Sequence, residues 1–243
     1  MKELYKNIES GIECFDWKTD SPLKNVNQET ECKLIFDSVC EEIGKYYSMF
    51  GFKVSKRKIQ LNLDEFILKI QFSSSAYNQK GDFIWLEINS GVYPKELSKK
   101  YKEEKEVLLP IVFANTNLLD KKITTEIESN FLTRGINILG KENIVESKFD
   151  ESTVEYSRGL NLYSINLEEF KMILKYINRL IRKSIEIVTD KDHLMEYLRN
   201  PTQRQLYWII EKRIEDFMNL YYPNDKEVID RLNELKMKKE NPV

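Results

Sequence analysis

The chain has one histidine and three cysteines in 243 residues. That scarcity argues against zinc chemistry, since a structural zinc takes about four Cys or His ligands. Cys14, Cys32 and Cys40 are odd in number and loosely spaced, so they make no disulfide framework. On one helix, Cys32 and Cys40 would lie about two turns apart, too far to bridge. Long apolar runs are also missing: no stretch approaches the ~20 residues a membrane-crossing helix needs. No apolar signal core follows Met1–Lys6, and we expect a cytoplasmic protein with no membrane partner. Neither sign of charge dominates, with 38 bases against 40 acids and a net charge of -2. This excludes a global attraction to nucleic acid or membranes, so a charged partner must meet a local patch. Alanine appears only at Ala76 and Ala114 while Lys, Ile and Asn abound, a bias that hints at an AT-rich bacterial genome. No catalytic signature, cofactor motif or internal repeat is present.

What is present is a globular composition, with 41% apolar and 12% aromatic residues. A short helix is expected near Lys2–Ser10, followed by an irregular arm that Phe15 and Trp17 anchor. Leu34-Ile35, Val39, Ile43, Tyr46-Tyr47 and Phe50 recur at helical spacing, predicting a helix from about Glu31 to Phe50 that Gly51 stops. Three strand-like runs follow, Phe52–Leu63, Glu65–Ser73 and Asp82–Ile88. Turn formers from Ser74 to Gly81 join the last two into a hairpin or meander. The first run starts with Lys53, Lys56, Arg57 and Lys58, a charge pattern suited to an exposed sheet edge.

Pro94 can open a charged helix, and further strands are expected within Leu108–Phe113, Gly135–Leu139 and Gly159–Ile165, with a loop at Lys141–Ser157. From Asn166 the period changes to 3.6, and Asn166 with Glu169 forms a capping-box pattern. Helices are expected from Leu167 to Arg182, Asp190 to Arg199, Thr202 to Tyr221 and Asp225 to Lys238. The predicted fold is α+β: an antiparallel sheet of about five or six strands flanked by helices, with a helical C-terminal part. The organisation reads as an N-terminal arm (1–28), an α+β core (29–188) and C-terminal helices (189–243) packed on the core.

The order helix, Gly51-Phe52, strands ending at Gln71-Phe72-Ser73, polar loop, Phe83, then Asn89-Ser90-Gly91-Val92 resembles a bacterial family known as domain of unknown function four-three-zero-four. The likeness centres on residues 51–93. It implies an α+β fold, intracellular bacterial proteins and no established activity. Some relatives neighbour toxin or defence genes, which implies an immunity-type binder.

Two sets of residues stand out as candidate binding sites. Lys171, Lys175, Arg179 and Arg182, with Lys183, recur about every four residues and make a basic helix face. Such a face can contact phosphates or an acidic protein, although a solvated face with bases near a helix C-terminus is the commoner explanation. Gln71, Ser73, Glu87 and Asn89 have even spacings within their strands, which puts them on one sheet face as a groove or as an ordinary wet face. Asp82 and Glu87 invite a metal-dependent nuclease reading. An odd spacing sends them to opposite faces, and Asn89 stands where that pattern wants a lysine. No catalytic or metal-binding residue is therefore assigned. His193 lacks a nucleophile beside it and reads as a surface or capping residue.

The function these readings favour is a non-enzymatic, cytoplasmic interaction protein, an immunity or defence-associated factor that binds a protein partner. The alternative is a nucleic-acid-binding or nucleic-acid-processing protein using the basic helix face. A hydrolase with an unrecognised acidic site ranks third. Oligomeric state is not legible in the sequence.

Overall fold

The computed structural model describes residues 2–74, 76, 78–82, 84–106, 110–115, 160–163, 165–199 and 212–240. Among these the fold is α+β. The helices are α1 (Lys2–Glu13), α2 (Cys32–Ser48), α3 (Lys95–Glu103), α4 (Leu167–Thr189), α5 (Lys191–Arg199), α6 (Lys212–Tyr221) and α7 (Lys226–Glu240). The strands are β1 (Lys53–Ser55), β2 (Lys58–Asn62), β3 (Phe66–Ser73), β4 (Trp85–Pro94), β5 (Val112–Asn115) and β6 (Leu160–Asn161). β1 to β4 form a sequential antiparallel meander; β5 follows β4 in the sheet order, and β6 pairs antiparallel with β4 through Leu86 and Leu160.

The chain divides into two compact units, neither continuous in sequence. The first comprises Met1–Leu61, Ile70–Asn89 and Ala114–Arg182, and the second Asn62–Lys69, Ser90–Phe113 and Lys183–Val243.

In the first unit, α2 lies against β1 and supplies much of the core. Ile35, Phe36, Val39, Ile43, Tyr46 and Tyr47 are buried at the predicted helical spacing. Gly51 adopts a φ of 83°, the left-handed conformation that ends a helix without a Cβ penalty. The Tyr46 hydroxyl donates to the Ile8 carbonyl of α1. The Tyr47 hydroxyl donates to the Leu174 carbonyl of α4 at 2.9 Å, and burial raises its pKa well above the ordinary phenol value. The arm after α1 docks as expected: Phe15 and Trp17 both meet the buried Phe170 ring. The capping box of α4 is complete, with Asn166 N–H donating to Glu169 Oε2 and Glu169 N–H to Asn166 Oδ1, both at 2.9 Å.

One expectation is corrected here. Residues 52–63 are not one strand but the hairpin β1–β2, in which Ser55 stands opposite Lys58 across the turn Lys56-Arg57. No residue of this turn has a positive φ, so the chain reverses without the Gly, Asn or Asp that marks the favoured hairpin turns. The last expected strand of this region also runs further, to Pro94, where α3 begins.

In the second unit Phe66, Leu68, Val92, Leu97, Phe217 and Met218 are buried. Phe66 stacks on Tyr221 and meets Phe217 edge-on. Asp216 accepts from the Tyr101 hydroxyl at 2.6 Å and from Lys100 at 3.1 Å. Asp190 caps α5 by accepting the backbone N–H groups of Asp192 and His193, so His193 sits in the first turn of that helix. A buried polar pair, Ser90 and Ser184, is 1% and 0% exposed, with the hydroxyls 2.9 Å apart. Each satisfies the other, and a single Ser90→Ala exchange strands the Ser184 hydroxyl. We expect Ser90→Ala to cost about 1–2 kcal/mol in a urea melt, and Ser90→Ala/Ser184→Ala to cost less than the two single exchanges summed. Strict additivity would show that the pair is not coupled.

The expected segments Leu108-Leu109, Gly135–Leu139, Lys141–Ser157 and Thr202–Glu211 lie outside the described residues.

Candidate functional site

Alternation along β3 and β4 decides what the sheet exposes. Leu68, Ile70, Phe72, Leu86 and Ile88 are buried, while Gln71 is exposed and Ser73, Glu87 and Asn89 are half-buried. The predicted sharing of one face by these four polar residues is therefore present. They are also linked. The Ser73 hydroxyl donates to Glu87 Oε2 at 3.1 Å and accepts from Asn89 Nδ2 at 3.4 Å. One hydroxyl thus fixes a carboxylate and an amide on the neighbouring strand, and each keeps hydrogen-bonding capacity for something else.

The face extends beyond the residues named from sequence. Phe72 N–H donates to the Arg57 carbonyl at 2.9 Å, which sets the β2–β3 register and stands Gln71 across from Lys58. Ser55 stands across from Lys58, and Gln60 across from Lys53. Paired residues point the same way, so Ser55, Lys58 and Gln71 form one row, with Lys53 and Gln60 beside it. Arg57 faces the opposite way: its guanidinium lies 4.8 Å from the Phe36 ring centroid and donates to Asp37 at 2.9 Å. Sequence reasoning missed Ser55 and Lys58 as members of this face because it ran 52–63 as a single strand. The signal available was the even spacing of Lys58 and Gln60, both outside the apolar Ile59-Leu61 pattern.

Asn78 closes the β3–β4 connection. It donates to Ser74 Oγ at 2.6 Å and accepts the Trp85 N–H at 2.9 Å, holding the start of β4 beside the end of β3.

The basic row of α4 has a different setting. Lys175 pairs with the Glu13 carboxylate at 2.6 Å, and this hydrogen-bonded cation holds the Glu13 pKa below its ordinary value. Lys171 reaches Glu168 at 3.3 Å and the Glu13 carbonyl at 3.4 Å. Both lysines therefore serve the C-terminal end of α1, where cations favour the helix dipole. Arg179 and Arg182 lie on the exposed part of the same helix.

Asp82 sits in the turn before β4 and Glu87 on the polar face of that strand. Among the described residues no group of three or more His, Cys, Asp or Glu is placed to hold a metal. Burial pushes the Cys40 thiol up to about 12, which leaves it protonated and unreactive at neutral pH. No helix among the described residues is long and apolar enough to cross a membrane. The sequence matches no protein-family model, no curated protein and no solved structure.

Proposed function

We propose that this chain is a non-enzymatic interaction protein of the bacterial cytoplasm that holds a protein partner on the open face of β3 and β4. The observation that carries the reading is the linked set Asn89–Ser73–Glu87 beside the exposed Gln71. Polar groups fixed in place before binding lose less entropy when a partner arrives, and they impose orientation. A face of amides, a hydroxyl and a carboxylate offers donors and acceptors for a partner's backbone and polar side chains. The resemblance to domain of unknown function four-three-zero-four supports an immunity or defence-associated role within this reading. The reading also takes the sheet as one of five or six strands, β5 and β6 extending the meander.

Gln71→Ala/Asn89→Ala should leave the circular dichroism spectrum unchanged and lower recovery of the partner from native-host lysate about tenfold, the equivalent of ~1.4 kcal/mol. Unchanged recovery would remove the sheet face from the proposal. A second reading places nucleic acid on Arg179 and Arg182, supported by their position on the exposed part of α4. Binding of that kind must weaken steeply with salt and respond to reversal of those two arginines.

A further inference from the structure

The β1–β2 hairpin concentrates four bases in six residues, and they divide by face. Arg57 is turned toward α2 and paired with Asp37. Lys53 and Lys58 belong to the polar face by their register with Gln60 and Ser55. Neither lysine has an acidic partner among the described residues. One end of the open face therefore carries two uncompensated cations. On β4, two strands from Lys58, stands Glu87, fixed by Ser73. Gln71 on β3 lies between them, and Asn89 lies beside Glu87 on β4.

We propose that the partner is bound through an extended acidic peptide segment, its carboxylates on Lys53 and Lys58 and its peptide groups on Gln71 and Asn89. This rests on the sheet-face reading above and assigns the chemistry of the partner. The same residues argue against a nucleic-acid strand. Single-stranded nucleic acid is held by stacked aromatic rings and a continuous cationic track. Here Trp85 shares the face with Glu87 and Asn89, but the Glu87 carboxylate interrupts any cationic track and the guanidinium of the hairpin points away from the face. A polyphosphate crossing the row would meet Glu87, whereas a peptide can carry acids at one end and neutral or basic residues at the other.

The test is calorimetric titration of the full chain with a glutamate-rich synthetic peptide, a lysine-rich peptide and a single-stranded oligonucleotide. The glutamate-rich peptide alone should bind, and more weakly as salt screens the contact. Lys53→Glu/Lys58→Glu should weaken it tenfold or more, Lys53→Gln/Lys58→Gln less, and Lys171→Glu/Lys175→Glu not at all. No binding of the glutamate-rich peptide, an affinity unmoved by the Lys53 and Lys58 reversals, or an oligonucleotide bound as tightly would overturn the inference. The two proposals separate in the lysate experiment. If Gln71→Ala/Asn89→Ala loses the partner while Lys53→Glu/Lys58→Glu retains it, the face stands and the acidic segment falls. If both retain it, both fall.

Discussion

Phe170→Ala should destabilise the protein by about 3–5 kcal/mol, the usual cost of removing a fully buried aromatic side chain. Phe170 has no exposed surface and lies in the first turn of α4. Its ring stacks on Phe15 at 5.2 Å between centroids and meets Trp17 at 5.8 Å, 65° from coplanar. Those two residues are the only described aromatics between α1 and α2, so the exchange removes the anchor of the connecting arm as well as core volume. Urea denaturation followed by Trp fluorescence measures both consequences. A loss below about 1 kcal/mol would mean that the arm is held elsewhere.

The second large effect concerns Gly44, where two forces oppose each other. In an isolated helix, Gly→Ala gains about 1 kcal/mol of propensity. In this structure the new Cβ would lie 2.6 Å from Val54 Cγ1, closer than carbon atoms approach. The contact is with one methyl of Val54 on β1, a β-branched side chain with few rotamers to move into, so relief takes a Val54 χ1 change or a small shift of β1. Overpacking should win, with a net loss of about 1–3 kcal/mol. Val54 is 47% exposed, so Val54→Ala should cost little alone. Combined with Gly44→Ala it should restore stability to wild type or above, because the helix then keeps the alanine without the clash. A Gly44→Ala variant more stable than wild type would show that the Val54 side chain or β1 yields freely.

The exposed position of Val54 and the close approach at Gly44 describe one arrangement, a short edge strand lying on a helix. The basic run from Lys53 pointed to a sheet edge, but the approach of that strand to α2 is not visible in the order of residues. What was legible came from local rules. The periodic apolar stripe of α2, the stop at Gly51 and the reciprocal cap of Asn166 and Glu169 each involve residues within a few positions of one another. The alternation in β3 and β4 likewise placed Gln71, Ser73, Glu87 and Asn89 on one face.

The less legible part depended on two other things. A hairpin turn with ordinary φ values leaves no compositional mark, so Lys56-Arg57 read as strand and Lys58 was not joined to Gln71. Pairings distant in sequence were equally hidden. Lys171 and Lys175 read as a free cationic face because Glu13, far upstream, carries no sign that α1 ends beside α4. In each case a local pattern correctly located the residues, and a long-range contact decided what they do.

The central claim is that the partner is a protein. The most direct measurement is a pull-down of the tagged full chain from its native host, with half of the sample treated with nuclease. The account predicts a stoichiometric protein that survives nuclease and is lost from the Gln71→Ala/Asn89→Ala variant. Recovery of nucleic acid, or of proteins that vanish with nuclease treatment, would contradict it and move the function to Arg179 and Arg182.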